Sequence, residues 1–207
     1  MSRRTVLVHA GVADPGMWDG FELPGELRRH PLQDDLADTV AGDRVALVGA
    51  SYGGFVCLDF AARHPDLVTA LVLLDAPHPD HEESGDLLAY AEEEERLVEE
   101  GRLEEATDLN VSYWKIPGRL RPMVRRSLEL DIREVDEVDL SAVRAPALVI
   151  VGEHDNADFR EMGERLAREL PDAEFAVVEG AGHLPSVERP DAVLELVKPF
   201  LDRNHKL

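Results

Sequence analysis

Val45-Ala-Leu-Val-Gly49-Ala-Ser51-Tyr-Gly53-Gly54 runs as a short apolar segment into a glycine-flanked serine, and Phe55-Val-Cys-Leu-Asp-Phe-Ala-Ala-Arg63 continues it with a helical period. A buried strand, the pattern G-x-S-x-G and a helix, in that order, are the context of a nucleophile elbow. Such a turn forces its serine into a strained backbone conformation, and Gly49 and Gly53 are expected because larger side chains would collide there. Ser51 Oγ should then stand exposed above a sheet. The following helix points N–H groups at the same spot, the amide of Tyr52 among them. The plain alternative is a glycine-rich strand-to-helix turn carrying an incidental serine.

Outward from this stretch the chain reads as strands alternating with helices. Upstream, Thr5-Val-Leu-Val-His9 predicts a strand, and Gly11, Pro15 and Gly16 mark the loop after it as irregular. Glu26-Leu-Arg-Arg-His-Pro-Leu32 reads as a short edge strand, where Pro31 is tolerated, and Asp34 to Val40 as a brief helix. Downstream, Val68 to Leu74 is a buried strand ending at Asp75-Ala-Pro77. This order favours a parallel sheet with crossover helices, an α/β fold.

From Pro79 to Val138 the pattern turns charged and helical. Leu88, Ala91 and Val98 suggest the apolar stripe of a glutamate-rich helix that stops at Gly101, with further helices over 103–114 and 120–132. Pro146 to Val151 restores the strand pattern, followed by an amphipathic helix over 159–170, a strand over 174–178 and a closing helix over 192–201. The expected organisation is a core of residues 1–78 and 139–207 carrying a helical lid of residues 79–138.

Composition bounds the function. The 207 residues suffice for one domain with a full core, and no stretch approaches the roughly 18 uninterrupted apolar residues of a membrane span. Met1-Ser-Arg-Arg leads straight into a strand pattern, too short an apolar segment for a signal peptide, so the expected location is cytoplasmic. A formal charge of −21 argues against nucleic acid or an anionic membrane as partner. The single Cys57 reads as a small buried hydrophobe rather than a catalytic thiol.

Two further loops can converge on Ser51, because sites in open parallel sheets form beyond the carboxyl ends of the strands. They are Gly152-Glu-His-Asp155 and Glu179-Gly-Ala-Gly182-His183-Leu-Pro-Ser-Val-Glu-Arg-Pro190. With H-A-G-V-A-D-x-x-M-W-D after the first strand and G-A-S-Y-G-G at the turn, the chain resembles, over nearly its whole length, small α/β-hydrolases of the enol-lactonase and esterase type. The resemblance implies Ser51 as nucleophile, His183 as general base and Asp155 as its orienting acid, with Gly11 and Tyr52 as backbone oxyanion donors. It implies a small acyl substrate and neither metal nor cofactor. The chemistry needs the same groups, since serine attacks at neutral pH only when an imidazole takes its proton and a carboxylate holds that imidazole.

Alternatives stand beside this reading. Asp75 follows the strand after the elbow helix, where some members of the fold carry their acid, and Glu153 and Asp158 flank Asp155. His9 reads as a structural residue orienting its loop, His154 as facing solvent, and the cluster His78-Pro-Asp-His81-Glu82 as an improbable metal site. Tyr90, Tyr113, Trp114 and Met123 are candidate pocket-lining residues. The family usually has a leading β-hairpin and a longer segment between Trp18 and Asp34. Their loss predicts a smaller sheet, with a poorly protected edge next to the elbow strand through which a homodimer could form instead of a monomer. The expected activity is hydrolysis of a small ester, lactone or related acyl substrate through an acyl-serine. The rivals are acyl transfer or lyase chemistry at that site, or a catalytically silent scaffold that binds.

Overall fold

A computed structural model describes residues 3–132 and 138–205. Strands β1 (Arg4–Val8), β2 (Glu26–His30), β3 (Val45–Ala50), β4 (Val68–Leu74), β5 (Ala147–Gly152) and β6 (Ala173–Val178) form one parallel sheet in the order β2-β1-β3-β4-β5-β6. The alternation of strand side chains makes two apolar layers. Leu7, Ala46, Val48, Val72 and Ile150 face one side, while Val6, Val8, Leu47, Leu71, Leu73 and Val149 face the other. Burial of both faces is why these strands read as continuous hydrophobic runs.

Helix α1 (Leu36–Val40) and α2 (Tyr52–Arg63) cover the second face, the latter through Cys57, Leu58, Phe60 and Ala61. On the first face packs α8 (Pro190–Asn204), with Val193, Val197 and Phe200 turned inward. Helix α6 (Ala157–Glu169) divides its buried residues between the two layers, Phe159 and Met162 in one and Leu166 in the other.

The strand order reverses between β1 and β3, since β1 is followed outward by β2 and the chain then returns to the opposite side of β1. That reversal opens a crevice at the strands' carboxyl ends, and the loop after β1 and the turn after β3 both end in it.

Two expectations are corrected here. The sheet edge is not next to the elbow strand: β2 pairs with β1 from Arg4↔Glu26 to Val8↔His30, leaving β3 central. The chain from Pro15 to Trp18 is a single 3-10 turn, short enough for β2 to reach its place. The helix expected over 120–132 stops early, as α5 (Arg121–Ser127), because the residues beyond it turn so that Leu128, Leu130 and Ile132 face a cavity.

The apolar stripe of α3 (Gly85–Glu99) is also different from the expected one. Its buried residues are Leu87, Tyr90 and Leu97, which share a face against α4 (Leu103–Tyr113) and the core, whereas Leu88 is 46% exposed and Ala91 lies outside. Leu88 and Val98 line the cavity instead. Of the lid expected over 79–138, residues 133–137 lie outside the described residues, as do Met1 and Ser2. Among the described residues no helix is long and apolar enough to cross a membrane.

Candidate active site

The turn after β3 is as tight as its glycines require. Ser51 adopts φ 49° and ψ −125°, its amide donates to Leu74 O at 2.8 Å, and α2 begins at the next residue. A Cβ on Gly49 would strike the carbonyl of Gly53, and one on Gly53 would strike the carbonyls of Val8 and His9, so the elbow packs backbone against backbone. Only glycine permits that approach.

His183 arrives on the loop after β6, and Glu188 from the short helix α7 (Pro185–Glu188) holds it in place. The Glu188 carboxylate accepts from the amides of Gly182 at 2.9 Å and Leu184 at 3.0 Å, clamping the backbone on both sides of the histidine. Asp155 sits on the loop after β5, which locks onto the His183 loop through His154 N donating to Ala181 O at 2.8 Å.

These three loops bring Ser51, His183 and Asp155 together. His183 Nδ1 lies 2.9 Å from Asp155 Oδ2 and Nε2 lies 3.0 Å from Ser51 Oγ. A carboxylate only accepts, so Nδ1 carries the proton and Nε2 is left to accept from the serine hydroxyl. Burial works against the Asp155 carboxylate, but the facing His183 and the hydrogen bonds it accepts hold it below the ordinary carboxylate value. His183 is 1% exposed and packs between aromatic rings, stacked on Trp114 at 4.1 Å and edge-on to Phe159 at 4.6 Å.

Gly11 and Tyr52 are neighbours, with a Cβ built on Gly11 meeting Tyr52 Cβ at 3.6 Å, and both line the cavity that contains Ser51. His9 anchors the Gly11 loop. Leu32 N donates to His9 Nε2 at 3.2 Å, so Nδ1 carries the hydrogen and donates to Ala10 O at 2.8 Å. Burial lowers the His9 pKa, which keeps this neutral tautomer.

The cavity of about 1000 Å³ lies between the sheet and α3, with Ser51 among its lining residues. Tyr90 and Trp114 line it, but Tyr113 and Met123 do not. Tyr113 is spent stacking on Tyr90 at 4.1 Å, and the Met123 methyl packs toward Gly16. Trp114 Nε1 donates to Tyr90 Oη at 2.8 Å, and Tyr90 Oη donates to Asn110 Oδ1 at 2.8 Å, a buried polar chain running from the His183 stack into α4.

The remaining candidates are placed elsewhere. Glu153 accepts from Gly180 N at 2.8 Å, and Asp158 accepts from Ser84 Oγ at 2.7 Å and faces His81 at 2.8 Å. His78 pairs with Glu169 at 2.9 Å, so the two histidines of the suspected metal cluster engage different residues of α6. Among the described residues no group of three or more His, Cys, Asp or Glu side chains could hold a metal ion. The Cys57 thiol is buried, which pushes its pKa up and leaves it unreactive. His154 turns outward, 62% exposed at its side chain.

Glu188, Phe159 and Asn110 are the site residues that sequence reasoning missed. Glu188 lies inside the quoted G-H-L-P-S-V-E-R-P run, and the signal for it was an acid one helical turn past the histidine loop.

The sequence model of the alpha/beta hydrolase family matches residues 12–196. Carboxylesterase YbfK of Bacillus subtilis strain 168 is 26% identical over 189 residues, 81% of this chain and 60% of that protein. Epoxide hydrolase 3 of Xenopus tropicalis is 38% identical over 66 residues, 29% of this chain and 18% of that protein. The chain thus spans less than two thirds of either relative. The crystal structure of the enol-lactonase from Burkholderia xenovorans LB400 has the same fold, with a TM-score of 0.79 at 19% identity over 98% of this chain and 92% of that one.

Proposed function

The chain belongs to the alpha/beta hydrolase family; from that premise we propose that it is a serine hydrolase cleaving a small ester, lactone or related acyl substrate through an acyl-serine intermediate. The observation that carries the reading is the unbroken line from Asp155 Oδ2 through His183 to Ser51 Oγ, with bonds of 2.9 and 3.0 Å, beside the cavity.

In this reading His183 Nε2 removes the Ser51 hydroxyl proton as Oγ attacks the substrate carbonyl. Asp155 holds the ring and stabilises the imidazolium that forms. The oxyanion of the tetrahedral intermediate lies between the amides of Gly11 and Tyr52, where each donor contributes about a hundredfold or more to turnover. His183 then returns the proton to the leaving oxygen, and water repeats the sequence on the acyl-serine. The helix dipole of α2 supports the oxyanion from the same side.

The acyl group occupies the cavity between α3 and the sheet, against Leu88, Val98 and Ile132, and the expected partner is this small molecule rather than nucleic acid or membrane. A fluorophosphonate probe followed by mass spectrometry of the labelled peptide tests the assignment. Labelling at Ser51 that disappears in His183→Ala is the expected result. A folded protein that takes up no label would remove the hydrolytic reading and leave a binding scaffold.

A further inference from the structure

Asp75 is a buried ionisable group that the proposed reaction leaves unused. It follows the last residue of β4 with φ 45°, a left-handed conformation that Asp tolerates better than most residues, and it is 0% exposed. Its amide donates to Ile150 O at 2.8 Å and its Oδ1 accepts from Gly152 N at 2.8 Å. Among the described residues its Oδ2 is buried with no donor to satisfy it, and the carboxyl lies within hydrogen-bond reach of Asp155.

Two ionised carboxylates in that position would repel each other away from water, and the Glu188 carboxylate nearby adds to the repulsion. One shared proton removes the conflict. The donors decide which carboxyl keeps it. Among the described residues Asp155 accepts from Asn156 N at 2.8 Å and from His183 Nδ1 at 2.9 Å, while Asp75 accepts from Gly152 N alone. The negative charge therefore belongs on Asp155, and a proton on Asp75 Oδ2 turns the unsatisfied atom into a donor.

We propose that Asp75 is a neutral carboxylic acid that donates a hydrogen bond to Asp155, making it a positioning residue that keeps the Asp155 carboxylate aimed at His183. The role rests on the Ser51, His183 and Asp155 assignment. It also gives the fold's two acid positions separate duties, one ionised and facing the imidazole, the other protonated behind it.

Infrared spectroscopy of the folded protein at neutral pH tests the proton directly. A carbonyl band of a protonated carboxyl in wild type that is missing from Asp75→Asn is expected. Kinetics with p-nitrophenyl acetate test the role: Asp75→Ala should lower kcat about tenfold to a hundredfold with KM little changed, as misplacement of a catalytic group does. Asp75→Asn keeps a neutral donor toward Asp155 and an acceptor for Gly152, and should recover most of that loss. If wild type lacks the band, or Asp75→Asn is as defective as Asp75→Ala, the proposal is wrong. Should Asp75→Ala not fold, the Asn variant decides, because an ionised Asp75 that served the histidine would lose turnover on amidation. A wild type with no esterase activity would sink the hydrolase assignment, while the infrared band would still report on Asp75.

Discussion

Ser51 combines a left-handed backbone, which the glycines around it permit, with a side chain 3.0 Å from an imidazole nitrogen that the Glu188-held loop brings to it. Ser51→Ala and His183→Ala should each abolish ester hydrolysis and leave the circular dichroism spectrum unchanged; near-wild-type turnover in either would refute the assignment. Asp155→Asn should cost about 10⁴-fold in kcat, because an amide facing His183 Nδ1 favours the wrong tautomer. At this scale the sequence named the three residues that the fold brings into contact, Ser51, Asp155 and His183, each a chemically distinctive residue after a strand-like run. Asp155 was named there by resemblance, with Asp75 left as an alternative that local sequence could not remove. Both acids follow strands, and only the path of the loop after β5 brings Asp155 Oδ2 to within 2.9 Å of His183 Nδ1.

Between the elements, the turn after β3 and the helices α3 and α4 depend on close packing. Gly53→Ala should destabilise the fold by about 1–3 kcal/mol, since the new Cβ meets backbone carbonyls that have no rotamer to escape through; the urea midpoint measures this. Trp114, at the end of α4, covers His183 and donates to Tyr90. Trp114→Ala should cost about 3–5 kcal/mol in stability by chemical denaturation and lower kcat as well, because the imidazole loses the ring it stacks on. The outlines of the core helices were readable from their period. The buried face of α3 was not: Leu87 and Leu88 are equally apolar, and which of them turns toward α4 depends on the docking of two helices that the sequence lists separately. Likewise the apolar residues after Ser127 looked helical because a cavity needs the same composition as a helix face.

Over the whole molecule, 43 acidic against 22 basic residues leave a large negative excess even though many arginines sit in surface pairs such as Arg96 with Glu93 and Glu100. Exposed pairs of this kind contribute little, so self-repulsion dominates. Raising salt from about 0.02 to 0.5 M should increase the melting temperature by about 2–4 °C, equivalent to about 1 kcal/mol, as screening relieves the repulsion. A melting temperature that fell with salt would mean the ion pairs matter more than the excess charge. The sequence by itself determined the alternation of strand and helix, the parallel sheet and the three loops that bear Ser51, Asp155 and His183, because these rest on local periodicity and on glycines with no substitute. Only the tertiary structure decided that β1 stands between the edge strand and β3, which face of α3 is buried and which residues of segment 79–132 reach the cavity. Those depend on contacts between segments far apart in the chain, where the same residue types serve either outcome and geometry alone selects one.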